Sequence, residues 1–478
     1  MSSTTDGIAN GAASNIVRER KRLIVLCDGT WVDSNSIDKV KYPTNVTRFA
    51  RCIKAKDIYT DPHGHAHELP QIVYYLPGVG SVSGTSLRGG LYGSGVSATV
   101  RSAYAFLAHN YDIGDEIFFF GFSRGAYIAR SIAGLVTSLG LLTKKGMDHF
   151  PLVYQRYYDH EAHTTTQGPE KGLAGADCKG RSKIVGVWDT VGFHAAGLFE
   201  EKIEFRNCEL SPRVESAYHA LALDERREPF RPTVWRVPSK ESIDAAFPPA
   251  KGGRPFVQDM QQVWFSGRHS DIGGGLDDPR LSDITLAWMI AQCAKKGKLA
   301  FTDLDTPDDY LIDSAKTPKA LTDEEAVPWA TAQGQANEPP WYEKAYRAFI
   351  SADRKPLIYM DEERRDVEAD QATTNEYIHR SIRDRNLDGK GKGEVWKANA
   401  LAGGKLDGEG RYLLARDTRK GLPMAPKVER DVVGADGKVE KQDVEAYFRG
   451  RVVKIMSADA GSESISEIAS EVENMRME

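Results

Sequence analysis

The sequence predicts an α/β fold built on a mainly parallel sheet, and three observations carry that prediction. Over roughly the first 300 residues, short β-branched or aromatic runs alternate with longer stretches of helical period. Apolar residues in those stretches recur every three or four positions, as a helix packed on a sheet requires. The sharpest glycine-flanked turns fall where a strand candidate ends, which is where parallel α/β sheets place their sites.

The strand candidates, in order, are "RLIVLCDG" at 22–29, "IVYYLPG" at 72–78, "DEIFFFGF" at 115–122, "KIVGVWDT" at 183–190, "PTVWRVP" at 232–238 and "QQVWFSG" at 261–267. Between them, Val100, Tyr104, Leu107 and Tyr111 mark one helix, and Ile128, Ile132, Val136 and Leu139 mark another. Residues 143–181 begin aromatic and end glycine-rich, and read as an insertion or cap. Residues 1–20 and the serine-rich acidic stretch at 456–478 read as disordered tails. A catalytic unit is expected over 21–300. A smaller, more polar accessory region is expected over 301–455, with helical pieces such as "TNEYIHRSIRDR".

The 478 residues are 41% hydrophobic, enough for one large core or two smaller ones. With 63 basic against 68 acidic residues, the net charge of -5 argues against nucleic acid as the main partner. Cys27, Cys52, Cys178, Cys208 and Cys293 are scattered, without C-x-x-C spacing. That points away from a disulfide framework or zinc site and towards a reducing, cytoplasmic location. The residues before Leu23 lack a signal peptide's apolar core, and no apolar stretch of membrane-spanning length occurs. Peripheral contact with a lipid surface is still compatible with this composition.

Gly121-Phe122-Ser123-Arg124-Gly125 fits G-x-S-x-G, with a strand candidate before it and a helix candidate after it. A turn that sharp needs glycines beside the serine, and it lifts the hydroxyl above the sheet edge as a nucleophile. A serine needs a base and an orienting acid, and on this scaffold they follow in the order acid, then histidine. Asp189 in "VWDTVG" ends one strand candidate, and His269 in "RHSDIGGG" follows another. His219 and His379 are rival bases, both within helical patterns, and Asp271 is the second choice of acid. The oxyanion site calls for the N–H of Arg124 and a second backbone donor, from Gly29 or Asp28 in "LCDGTW".

Other signals carry less. "LCDGT" resembles the D-x-D-G-T of aspartyl-phosphate phosphatases, but Leu26 stands where their nucleophile belongs. His63, His65 and His67 alternate as metal ligands on a strand do, yet Pro62, Gly64 and Pro70 suggest a loop with no functional ion. The glycine-rich stretch 78–95 lacks the G-K-[ST] of a nucleotide loop and reads as site-lining. Arg124, Arg226 and Arg227 suit either a phosphate group or ion pairs with nearby acids, the pairs being the simpler use. Phe150, Tyr154, Tyr157 and Tyr158 suit a small core better than a lipid channel. No metal or other cofactor is required.

Together "LCDGTW", "GVG" at 78–80, "GDEIFFFGFSRGAYIARSIAG", "VWDTVG", "HALALDERREPFRPTVW", "VWFSGRHSDIGGG", "LSDITLAWM" and "TNEYIHRSIRDR" resemble the DUF2235 family. That family is also described as the catalytic domain of Tle1-like type VI secretion phospholipase effectors. The resemblance spans about residues 20–385. It implies an α/β-hydrolase-like fold and a lipase- or phospholipase-type esterase acting on ester or lipid substrates. It also implies a triad of Ser123 as nucleophile, Asp189 as acid and His269 as base, the residues already singled out. A non-catalytic interaction protein on the same scaffold is the alternative, expected to hold Ser123 and His269 more than one water apart.

Overall fold

The computed structural model describes residues 20–29, 43–61, 63–78, 93–158, 180–192, 209–227, 230–249, 253–276, 278–295, 298–302, 354–360, 365–382, 405–406, 411–414, 417–433 and 438–445. Residues 1–19 of the first predicted tail, the whole of the second, most of the glycine-rich stretch 78–95 and residues 159–179 of the predicted cap lie outside these.

Seven strands form the body of the sheet: β1 (Arg22–Cys27), β2 (Lys56–Thr60), β3 (Ala66–Leu76), β4 (Glu116–Phe122), β5 (Ser182–Trp188), β6 (Val214–Ala222) and β7 (Asp259–Phe265). Further along come a small hairpin of β8 (Ile358–Met360) and β9 (Asp366–Glu368), and then β10 (Glu376–Ile378). The eight-stranded order is β10-β7-β6-β5-β4-β1-β3-β2, parallel throughout except where β2 runs antiparallel to β3.

The central strands are buried on both faces, so they read as continuous apolar runs rather than alternating ones. Alternate residues still serve different cores. Leu23, Val25 and Phe119 join α2 (Gly93–Asn110) and α3 (Arg124–Leu139) in one cluster. Ile24, Leu26, Phe118 and Phe120 join α1 (Asn45–Cys52) and residues such as Leu286 and Met289, which α7 (Arg280–Ala294) contributes, in the other. Val100, Tyr104 and Leu107, and Ile128, Ile132 and Val136, are buried as their spacing predicts. Phe150 and Tyr154, on α4 (Phe150–Tyr158), belong to the first core, where Phe150 stacks on Tyr104 at 4.5 Å, and α5 (Lys240–Ala246) follows β6 along the chain. Tyr157 and Tyr158 pack against it half-buried, so the four aromatics make core rather than a lipid channel.

Two sequence expectations about elements are corrected. "PTVWRVP" is not a strand of the sheet. Its Pro232 and Pro238 remove ladder donors. The Gln262 side chain instead takes both main-chain groups of Trp235, accepting from its N–H at 2.8 Å and donating to its carbonyl at 3.0 Å. The strand on that side is β6, in "VESAYHALA", whose alanines and glutamate favour helix while burial on both faces erases any strand alternation. His219 therefore lies in a strand.

The second correction concerns "TNEYIHRSIRDR", which is not one continuous helix. Asn375 adopts a left-handed backbone (φ 49), and Glu376–Ile378 form β10 against β7. Residues read as accessory thus extend the same sheet, and a third cluster seals the junction with Trp264, Leu357, Ile378 and Leu422.

Candidate active site

The site is assembled at the carboxyl ends of β1, β4, β5, β6 and β7. Parallel register brings these ends level: Cys27 pairs with Gly121, Phe122 with Trp188, Trp188 with Ala220, and Ala222 with Phe265. Ser123 follows Phe122, and Asp189 follows Trp188. His269 opens the short helix α6 (His269–Gly273) after β7.

Ser123 has φ 60 and ψ -128, a conformation side chains rarely adopt, at the N-cap of α3. Its neighbours explain the glycines. A Cβ on Gly121 would lie 2.5 Å from the Gly125 carbonyl oxygen, and one on Gly125 would lie 2.3 Å from the carbonyl oxygens of both Cys27 and Asp28. Because those contacts are backbone, Gly125→Ala is expected to destabilise the protein by at least ~3 kcal/mol. A denaturant-unfolding midpoint equal to wild type would contradict that.

The Ser123 hydroxyl lies 2.7 Å from His269 Nε2, and His269 Nδ1 lies 2.6 Å from Asp189 Oδ2. An ionised carboxylate only accepts, so Nδ1–H donates to Asp189, which leaves Nε2 facing the serine hydroxyl. The imidazole sits between the rings of Phe122 and Phe230, at centroid distances of 4.7 and 4.9 Å. All three polar side chains are buried.

Asp189, fully buried, also has positive φ. Its Oδ1 accepts from the Ala222 N–H at 3.0 Å and from Arg354 Nη1 at 3.1 Å, and its Oδ2 accepts from Arg354 Nη2 at 3.0 Å. Burial alone would raise this carboxyl. The Arg354 charge and the His269 hydrogen bond outweigh burial and hold it well below the usual carboxylate range.

Glu225, after β6, holds His269 from its backbone: its Oε2 accepts from the His269 N–H at 3.3 Å. The same carboxylate is gripped by Arg227 Nε and Nη2, both at 2.8 Å. Burial would raise the Glu225 carboxyl, but Arg227 outweighs it and brings it down to about 2 from 4.5. A depressed folded value contributes stability above the unfolded value that is lost as pH falls through the folded one. Glu225→Gln is therefore expected to destabilise at pH 7 by on the order of 3 kcal/mol. The gap to wild type should shrink as pH drops from about 4.5 to about 2, as denaturant unfolding at several pH values would read. An unchanged gap would rule this out.

The rival residues are engaged elsewhere. Asp271 Oδ2 accepts from the Arg268 N–H at 2.8 Å, making it a cap of α6 rather than an orienting acid. His219 accepts from the Thr190 N–H at 3.1 Å, faces Gln262 and is pushed down to about 3 by burial and by the Arg130 charge, so it stays neutral. His379 lies between Ser381 Oγ at 2.8 Å and Glu445 Oε1 at 3.0 Å. That trio resembles a Ser–His–acid array, but Ser381 has zero exposure and no substrate reaches it.

The oxyanion expectation needs correction at its second donor. The Asp28 N–H is spent on the Leu76 carbonyl at 2.9 Å, and the Gly29 N–H on Asp28 Oδ1 at 2.7 Å. Strand pairing claims the first, and the buried Asp28 carboxylate claims the second. That carboxylate also accepts from Tyr75, Thr44 and Thr47, tying the start of α1 to the end of β1. Thr30, next in the loop, lies outside the described residues. Arg124, as the first residue of α3, has no acceptor for its N–H within that helix, and its amide adjoins Ser123.

Three contributors escaped sequence reasoning: Arg354, Glu225 and Phe230. Glu225 sits in the quoted "DERREPF", where its two following arginines were the only signal; Arg354 stands in a stretch with none. Arg227 pairs with Glu225 and lies 3.7 Å over the Phe230 ring, the ion-pair use of the arginine cluster. His65 and His67 both contact Asp61, at 3.3 and 3.1 Å, and no cluster able to hold a metal occurs among the described residues.

Residues 21–292 match the family described as "T6SS, Phospholipase effector Tle1-like, catalytic domain". The chain belongs to this family of phospholipase-type hydrolases. The yeast Saccharomyces cerevisiae has a relative, the uncharacterized protein YEL023C, 31% identical over 185 residues, which are 34% of this chain and 27% of that one. An uncharacterized protein from Pseudomonas aeruginosa is similar in structure at 16% identity and a TM-score of 0.31, over 57% of this chain and 45% of its own. The Tle1 effector bound to the VgrG spike of the type 6 secretion system is similar at 18% identity and a TM-score of 0.31, over 54% of this chain and 52% of its own. The alignments thus span about a quarter of the yeast relative and about half of each solved chain. Arg354 lies beyond the residues that match the Tle1-like domain.

Proposed function

We propose that the chain is a serine hydrolase that cleaves carboxylic esters of lipids through Ser123, His269 and Asp189. The observation that carries this reading is the continuous hydrogen-bonded line from Ser123 Oγ through His269 to Asp189, at 2.7 and 2.6 Å, on strand ends of one sheet. Contact that direct argues against the non-catalytic alternative, which called for a wider gap.

In this reading Ser123 Oγ attacks the ester carbonyl as its proton passes to His269 Nε2. Asp189 holds the ring so that Nε2 faces the serine, and its charge stabilises the imidazolium. The Arg124 N–H, at the positive end of α3, stabilises the oxyanion. The imidazolium then protonates the leaving alcohol, and water, activated by the same histidine, releases the acid and restores the serine.

The family supports a lipid substrate. No helix among the described residues is long and apolar enough to cross a membrane. A peripheral encounter with lipid belongs to the proposal. A cytoplasmic location is also proposed, supported by Cys27, Cys52 and Cys293 as buried free thiols.

The test is labelling of the purified protein with a fluorophosphonate, followed by peptide mapping. The expected adduct is on Ser123, lost in His269→Ala. A folded sample that takes no label, or takes it elsewhere, overturns the assignment.

A further inference from the structure

We propose that Arg354 is a positioning residue of the hydrolase site, clamping both carboxylate oxygens of Asp189 so that Oδ2 stays aimed at His269. This rests on the reading of Ser123, His269 and Asp189 as the reacting array. It adds that the array is completed by a residue outside the Tle1-like domain at 21–292.

The geometry is that of a fork on a carboxylate, with Nη1 on Oδ1 at 3.1 Å and Nη2 on Oδ2 at 3.0 Å. Without it, Oδ2 would keep only its bond to His269, and Oδ1 only the Ala222 N–H. A carboxylate held at one oxygen by one amide can turn about its terminal torsion, which is broad, and carry the imidazole with it. Two parallel bonds fix the carboxylate plane.

Arg354 also donates through Nη2 to the Phe230 carbonyl. The Phe230 ring packs on His269, so one guanidinium sets both the acid and one wall of the base. Arg354 is itself only 5% exposed, and Asp189 has no exposure at all. An isolated buried carboxylate would be costly, and a buried cation beside it offsets part of that cost.

A purely structural role, pinning the residue 354 segment to the sheet, makes a different prediction. That segment has anchors of its own. The Leu357 N–H donates to Glu376 Oε2 at 2.9 Å, the Leu357 carbonyl accepts from Ala369 at 2.9 Å, and Glu376 also accepts from Trp264 Nε1 at 2.7 Å. Loss of the guanidinium should therefore leave the segment seated while the acid loosens.

The experiment compares wild type, Ser123→Ala, Arg354→Ala and Arg354→Lys in the full chain, using a p-nitrophenyl ester. Arg354→Ala is expected to lower kcat about a hundredfold with KM within about twofold, since the interaction serves the reacting geometry and not substrate binding. Arg354→Lys, a point charge without the fork, is expected to fall between that and wild type. Added guanidinium ion, well below denaturing concentration, is expected to restore the Ala variant at least about tenfold by refilling the vacated space.

Wild-type kcat in Arg354→Ala, or a loss that neither guanidinium nor lysine restores, overturns the proposal. If Ser123→Ala is inactive while Arg354→Ala is fully active, this inference alone fails. If Ser123→Ala turns over ester like wild type, or wild type turns over none, the underlying reading fails and takes this one with it.

Discussion

Ser123→Ala is expected to abolish ester hydrolysis, with kcat falling by roughly a millionfold, the scale seen when a hydrolase loses its nucleophile. The fold should be untouched. The hydroxyl's hydrogen bond runs to His269 Nε2, while the Ser123 backbone is held through its N–H on the Trp188 carbonyl at 3.0 Å. Alanine keeps the same Cβ at the same φ, so neither the turn nor its strain changes, and the unfolding free energy should stay within ~1 kcal/mol of wild type. Steady-state kinetics beside a denaturant titration separates the two effects. Residual turnover above a hundredth of wild type would mean that another nucleophile carries the reaction.

His269→Ala is expected to be nearly as damaging, because a serine hydroxyl without its base is a poor nucleophile. The informative comparison is the double variant. Residues that act as one unit are strongly non-additive, so Ser123→Ala/His269→Ala should be no slower than either single change. Stability tells a different story at this position. Removing the imidazole leaves Phe122 and Phe230 facing a void, and takes one donor from buried Asp189 while both Arg354 bonds remain. A loss of about 2 kcal/mol or more is expected by calorimetry. If His379→Ala were the inactive variant instead, the base would be misassigned. Its place between Ser381 and Glu445, sealed from solvent, argues otherwise.

Much of the site was readable because its chemistry is local. The turn at Ser123 needs glycine at 121 and 125 within a few residues, so strand, motif and helix announce one another along the chain. Asp189 and His269 follow strands whose apolar runs are unmistakable. Where the reading failed, a distant side chain or a buried face had overruled local preference. Gln262 replaced a strand partner for Trp235, and burial on both faces hid β6 behind helix-favouring alanines. The loop after β1 lies near Ser123, yet its Asp28 and Gly29 amides are claimed by Leu76 and by the Asp28 carboxylate. No local pattern records which amides are already spent.

The sequence by itself determined the α/β class and the turn that presents Ser123, because periodicity and steric demand act over neighbours in the chain. Only the tertiary structure decided which charges surround the histidine. Arg354 reaches Asp189 across 165 positions, and Glu225 meets the His269 backbone across 44. Electrostatic partners are chosen by distance in space, and the parallel sheet, by bringing its strand ends to one level, makes residues far apart in the chain nearest neighbours.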